Sequence, residues 1–167
     1  HPSPIQVDST VLLTQEASKH LLTVLRLKDD HPLILFNGDG NDYSATLRIA
    51  SKKQAEAIVD TQLSISVESP LAIHLGQGIS KGERMDFVLQ KSVELGVTEI
   101  TPLITERCPV KLNAERWDKK YQHWLKVVTS ACEQCGRNVV PALHTPISLH
   151  QLLGQSTQQT RLTLHPE

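Results

Sequence analysis

Near Ser69-Pro70 the hydrophobic pattern changes period, and this constrains the fold more than any single motif. Before it, short apolar or alternating runs at Ile5 to Leu13, Pro32 to Phe36, Tyr43 to Ile49 and Ala55 to Leu63 predict strands, because a strand turns alternate residues to one face. Asn37-Gly38-Asp39-Gly40-Asn41 lies between two of them and supplies residues that tolerate a hairpin's positive φ. One helix interrupts the run, with Thr14 as N-cap, Glu16 in the first turn and apolar Leu21, Leu22, Val24 and Leu25, continuing through Arg26. The expectation is a small β-barrel with one helix.

From Leu71 strands alternate with helices, the pattern of a parallel sheet. Leu71 to Ile79 reads as a strand, residues 83–95 as a helix with Met85, Val88, Leu89 and Leu95 on one face, and Glu99 to Thr105 as another strand. Asn113 is the expected cap of a long helix. Its apolar stripe runs through Trp117, Tyr121, Trp124, Val128, Ala131 and Cys135 to a stop at Gly136. Val139 to Leu143 predicts a third strand, Ser148 to Leu153 a short helix, and Thr160 to Leu164 a further strand. The fold class expected is α+β in two domains, residues 1–69 and 71–167. The α/β domain is expected to be incomplete, because the chain stops at the carboxyl end of a strand, where ligands bind in open α/β sheets. His1 is not an initiator methionine, and the only Met is Met85, so residue 1 is not expected to be a natural start.

Composition narrows the function classes. Hydrophobic residues make up 39% of the 167 and charged residues 21%, enough for a sizeable core. Two Trp, two Tyr and two Phe leave little for aromatic base-stacking platforms. No apolar run approaches the roughly 20 residues that cross a bilayer. Three cysteines, an odd number, argue against a disulfide scaffold and for a reducing compartment, by default the cytoplasm. Lys and Arg total 17 against 18 Asp and Glu, but the halves differ: six against nine before residue 71, eleven against nine after it. Any nucleic-acid binding is therefore local rather than a global attraction.

Cys132 and Cys135 form a C-x-x-C late in the long helix. A zinc site would need Cys108 and a histidine as well, and redox dithiols usually sit at a helix N-terminus, so a buried pair of reduced thiols is the expected reading. The opposite face of that helix carries Lys119, His123, Lys126, Ser130, Glu133 and Arg137, in the first instance a solvated stripe. Arg137 and Asn138 pass beyond Gly136 into a loop, beside Glu133 and Gln134, where a carboxylate, an amide and a guanidinium meet. Glu106-Arg107-Cys108-Pro109-Val110-Lys111 follows the strand ending at Thr105, and Lys81-Gly82-Glu83-Arg84 follows the one ending at Ile79, where the helix N-terminus presents backbone N–H groups. Three charged loops expected at one sheet edge point to a charged or polynucleotide ligand. In the first half His20, Arg26, Lys28, Arg48, Lys52 and Lys53 are scattered and mostly solvated.

Several of these blocks occur together in one known family. His74-Leu-Gly-Gln, Lys81-Gly-Glu-Arg-Met85, Gln90-Lys-Ser-Val-Glu-Leu-Gly-Val97, Thr101-Pro-Leu103, Glu106-Arg-Cys108, Val110-Lys-Leu112 and Ala131-Cys-Glu-Gln-Cys-Gly-Arg-Asn138 resemble the RsmE family of bacterial small-subunit ribosomal RNA methyltransferases. Val24-Leu-Arg26 and Leu35-Phe-Asn-Gly38 extend the resemblance over almost the whole chain. It implies an N-terminal PUA-like barrel that grips RNA, a SPOUT-type α/β domain with a C-terminal trefoil knot, a homodimer, S-adenosylmethionine as donor, and methylation of 16S ribosomal RNA at N3 of one uridine. Family members also begin earlier, with a basic stretch, and continue past Leu164-His-Pro166 into a glycine-rich loop that wraps the cofactor. Residues 1–167 alone are therefore expected to be inactive.

On this resemblance the site candidates are Arg107, Lys111 and Arg137 for electrostatic stabilisation of RNA or base, and Glu106 or Glu133 for orientation. Arg26, Lys81, Arg84, Lys111 and Asn138 are the RNA-contact candidates, and Leu164, His165 and Pro166 stand for the edge of the cofactor pocket. No metal is expected, and no residue is a convincing general base. The competing reading is a non-catalytic RNA-binding module built on the PUA-like half, with a zinc-dependent structural protein a distant third.

Overall fold

The computed structural model describes residues 3–64, 67–106, 108 and 114–164. The chain divides into two compact units, one of residues 1–71 with 128–140, the other of residues 72–127 with 141–167.

The first unit is built on an antiparallel sheet of β1 (Thr10–Leu12), β2 (Pro32–Leu35), β3 (Asp42–Ser51) and β4 (Gln54–Leu63) in the order β1-β4-β3-β2. Alternation does the folding here. Tyr43, Ala45 and Leu47 of β3 and Ala55, Ala57 and Val59 of β4 are buried on one face, joined by Ile5, Val11 and Leu13 in a single apolar cluster. The register opposes Leu47 to Ala57 and Ala45 to Val59, so large side chains face small ones. Among the described residues no pairing joins β2 back to β1, so the expected barrel is a four-stranded sheet here.

The turn between β2 and β3 forms as its residues predict, with Gly38 and Gly40 at φ +90° and +86°. The Asn37 side chain accepts from the Asp39 N–H (3.1 Å), Asp39 accepts from the Asn41 N–H (2.8 Å), and the Tyr43 hydroxyl donates to Asp39 (2.6 Å).

Helix α1 (Gln15–Lys19) starts at Thr14, whose hydroxyl accepts from the Ala17 N–H at 3.1 Å. Buried Ser18 ties it to β4 by accepting from the Ala55 N–H at 3.1 Å and the Gln54 amide at 3.2 Å. The helix does not run on unchanged through Arg26: His20–Val24 widen into a π-helical turn, and Arg26 takes φ +55° beyond it. Two β-branched or bulky apolar side chains, Val24 and Leu25, remain exposed there.

The other unit carries parallel strands β5 (His74–Gly78), β6 (Glu99–Ile104) and β7 (Ala142–Leu143), in that order, with β8 (Ile147–Ser148) pairing the far end of β6. Helix α2 (Glu83–Glu94) buries Met85, Leu89 and Val93, four residues apart each time. Leu95 does not join them: it is the C-cap residue before Gly96 (φ +87°) and stands 79% exposed. Helix α4 (Leu149–Gly154) has the capping box that Ser148 and Gln151 encode. Gly76 lets α4 approach the sheet, since a Cβ there would lie 2.9 Å from Leu152 and 3.2 Å from Leu103.

Helix α3 (Ala114–Cys135) contributes its first part to the parallel-sheet unit and its last turns to the antiparallel one. Trp124, Val128 and Ala131 are buried as the stripe predicts. Cys135 is exposed and Cys132 takes its place, because Cys135 is the last helical residue and the chain reverses at Gly136 (φ +77°). The expected cap, Asn113, lies outside the described residues. Thr160 to Leu164 is not a strand: none of these residues pairs with a neighbour, and Leu162 and Leu164 are almost fully exposed. Alternation alone cannot make a strand without a partner edge. No described helix is long and apolar enough to cross a membrane.

Candidate functional site

The carboxyl ends of the parallel strands hold two of the three charged loops. After β5 the chain passes through Ile79, anchored by its N–H to the Leu103 carbonyl at 3.0 Å, into Ser80, Lys81 and Gly82. Gly82 caps α2 at φ +60° with no side-chain hydrogen bond, so the first backbone N–H groups of α2 have no side-chain cap there. Ile79, Ser80, Lys81 and Arg84 line an open concavity of about 520 Å³. Lys81 and Arg84 form no ion pair among the described residues and are exposed. After β6, Glu106 is exposed in a turn. Arg107 and Lys111 lie outside the described residues. This edge can therefore meet an anion with two exposed cations and a helix N-terminus.

The third loop is not part of that edge. Residues 128–140 belong to the first unit, and Arg137 and Asn138 precede β7 instead of following a strand. The α3 terminus closes by Gly136 N–H (2.9 Å) and Arg137 N–H (3.2 Å) both donating to the Cys132 carbonyl. This turns the Arg137 side chain onto Glu68: its Nε donates at 3.0 and 3.1 Å to the two carboxylate oxygens, and Nη2 donates to the same group. Arg137 is 5% exposed and Asn138 1%. Glu133, one turn back, is exposed. A planar guanidinium gripped by a carboxylate in a nearly dry setting is an anchor between the segment before residue 71 and the end of α3.

Glu68 was invisible to sequence reasoning, since it lies 69 residues from its partner with no local pattern joining them. The neighbouring Cys132 thiol is pushed up to about 11 by burial, against the opposing pull of Arg137. No disulfide joins the cysteines among the described residues, and a thiol as hard to ionise as that of Cys132 is suited to packing, not redox exchange.

The remaining candidates are dispersed. Arg26 is exposed in the first unit. Leu164 stands 96% exposed, and His165 and Pro166 lie outside the described residues. On the polar stripe of α3, His123 meets Asp86 of α2 at 2.8 Å, and Lys119 meets Glu115 at 2.8 Å.

Comparison with known proteins gives this arrangement its family. Residues 67–167 match the RNA methyltransferase domain family, and residues 13–60 the RNA methyltransferase PUA domain family. A ribosomal RNA small subunit methyltransferase E from Buchnera aphidicola is 38% identical over 142 residues, which are 85% of this chain and 58% of that protein. The chain thus spans less than two thirds of this relative's length. Among solved structures, a Legionella pneumophila protein in complex with the bound cofactor SAM superposes with a TM-score of 0.95 at 46% identity, covering 99% of this chain and 68% of that one. A ribosomal RNA small subunit methyltransferase E from Neisseria gonorrhoeae, bound to S-adenosyl methionine, gives 0.90 at 44% identity, covering 95% and 65%. With a PUA-like unit, a parallel-sheet SPOUT-type methyltransferase unit and these relatives, the chain belongs to the RsmE family of ribosomal RNA methyltransferases.

Proposed function

We propose that the whole protein methylates N3 of one specific uridine in 16S ribosomal RNA, with S-adenosylmethionine as donor, and that it acts in the cytoplasm as a homodimer. The observation that carries the activity is the likeness over 95% of this chain to a ribosomal RNA small subunit methyltransferase E bound to S-adenosyl methionine. Homodimer and compartment rest on the family resemblance. Residues 1–69 serve as the PUA-like RNA grip and residues 71–167 as the front of the methyltransferase domain.

The described residues do not themselves enclose the donor. Leu164 and Leu162 stand 96% and 88% exposed.

What this chain can contribute is electrostatic. Uracil N3 bears a proton in the neutral base and is a poor nucleophile until that proton leaves, so a cation near O2 or O4 lowers the barrier. Arg107 and Lys111, which follow β6 in the sequence, are the proposed cations, with Glu106 as an orienting group. Lys81 and Arg84, helped by Arg26, are proposed to hold RNA phosphates, because they are exposed cations at the concave carboxyl edge or on the PUA-like unit. Arg137 and Asn138, being buried, are proposed to position the α3 terminus rather than to touch the base.

The test is isothermal titration of the full-length protein with S-adenosylmethionine, paired with labelled methyl transfer to small ribosomal subunits lacking the modification. Saturable donor binding and about one methyl group per subunit are expected. RNA binding without either would replace the enzyme by an RNA-binding module.

A further inference from the structure

Three ligating side chains gather on one face of the parallel sheet, apart from its carboxyl edge. His74 opens β5 and Glu99 opens β6, and the register sets them side by side. Ala142 is the next partner of Glu99, so His144, two residues on, aligns with Thr101 and faces the same way. The His144 N–H continues the ladder by donating to the Ile100 carbonyl at 2.8 Å. The ligand atoms of His74, Glu99 and His144 all lie within 4.8 Å of one another, and the two imidazole rings are 5.4 Å apart between centroids.

We propose that these three side chains bind a divalent first-row transition metal of the zinc class. Two imidazoles and a carboxylate form the mixed nitrogen and oxygen set such ions prefer over magnesium or calcium. His144 Nε2 and Glu99 Oε2 are already 2.9 Å apart, and a cation replaces the proton they share. Zinc bonds of about 2.0–2.1 Å put tetrahedral ligands roughly 3.4 Å apart, so the set closes by side-chain rotation of about an ångström. His74 has its outer support in place: Thr101, 2% exposed, holds Nε2 by its hydroxyl at 2.8 Å and fixes the ring as metal-bound histidines require. Glu99 and His144 are each close to half exposed, which gives the ion an entry path and leaves its fourth position to water. Bound there, the metal clips β5, β6 and β7 together across segments far apart in sequence, and stabilises the folded state by mass action.

The experiment uses tag-free full-length protein, titrated with zinc against a chromophoric chelator and, separately, with cobalt(II) followed by visible absorption. One zinc per chain is expected, with affinity reduced at least tenfold in both His144→Ala and Glu99→Gln and unchanged in His123→Ala. Cobalt is expected to show d–d bands without thiolate charge transfer, and zinc to raise Tm in the wild type but not in His144→Ala. Absence of saturable binding overturns the proposal. So does unaltered affinity in both site variants, or a thiolate band, which would move the ion to the cysteines.

Discussion

Arg137, at the end of α3, and Lys81 with Arg84, after β5, carry the same charge in opposite surroundings. The first is 5% exposed and gripped by Glu68, whereas the other two line an open concavity without an ion-pair partner among the described residues. Charge in a loop is therefore not one property: a cation whose hydrogen bonds are already taken by a neighbour holds structure, and one whose are not is available to a ligand. The largest expected effect tests the first half of that contrast. Arg137→Ala removes the two-pronged, largely buried grip on the Glu68 carboxylate and should destabilise the folded state by about 3 kcal/mol in urea unfolding, with Arg137→Lys only a partial rescue because that geometry is lost. Unchanged stability with diminished methyl transfer would instead put Arg137 among the reacting groups.

The exposed pair predicts a different signature. Lys81→Ala and Arg84→Ala should each leave stability within about 0.5 kcal/mol of wild type, yet weaken RNA binding several-fold and lower the salt slope of the binding constant by about one per residue. A filter-binding series from low to moderate salt reads both quantities. Wild-type slopes in the variants would break the comparison.

A smaller effect concerns the β2–β3 turn. Burial raises the Asp39 carboxyl, but donation from Tyr43, Asn41 and Asn37 outweighs it and holds the carboxyl below its ordinary 3.8. A depressed folded-state value contributes stability above 3.8 that is lost as pH falls from there through the depressed value. Asp29, held down chiefly by the Ile49 N–H at 2.7 Å and then by Arg48, acts in the same direction. Thermal melts between neutral pH and about pH 2.5 should therefore show Asp39→Asn with a shallower acid loss than wild type.

The smallest expected change separates the two cysteines of one helix turn. Cys135 is exposed and Cys132 buried with its thiol pushed up to about 11, so alkylation at about pH 8 should label Cys135 while leaving Cys132 intact until the protein unfolds. Peptide mass mapping distinguishes them. Equal labelling would mean that the α3 terminus, and with it the Arg137 anchor, opens readily.

The features legible in the sequence are local. The alternation of β3 and β4, the Thr14 and Ser148 caps, the glycine stops after α2 and α3, and the parallel character of the α/β unit each follow from a few neighbouring residues. The misses depend on distant partners. Periodicity puts Cys135 on the buried stripe, but only the chain reversal at Gly136 leaves it uncovered. Thr160 to Leu164 alternates suitably yet finds no edge to pair with. The Glu68 grip on Arg137, like the meeting of His74, Glu99 and His144, requires the register of the folded chain. Among the site candidates, exposure sorted cations that the sequence could only enumerate.

The position of the transferred methyl group tests the central claim most directly. Small subunits lacking the modification, incubated with the full-length protein and S-adenosylmethionine, are digested to nucleosides and analysed by mass spectrometry. The account predicts N3-methyluridine at one site; methyl on a ribose 2′-hydroxyl, or no methylated uridine at all, would contradict it.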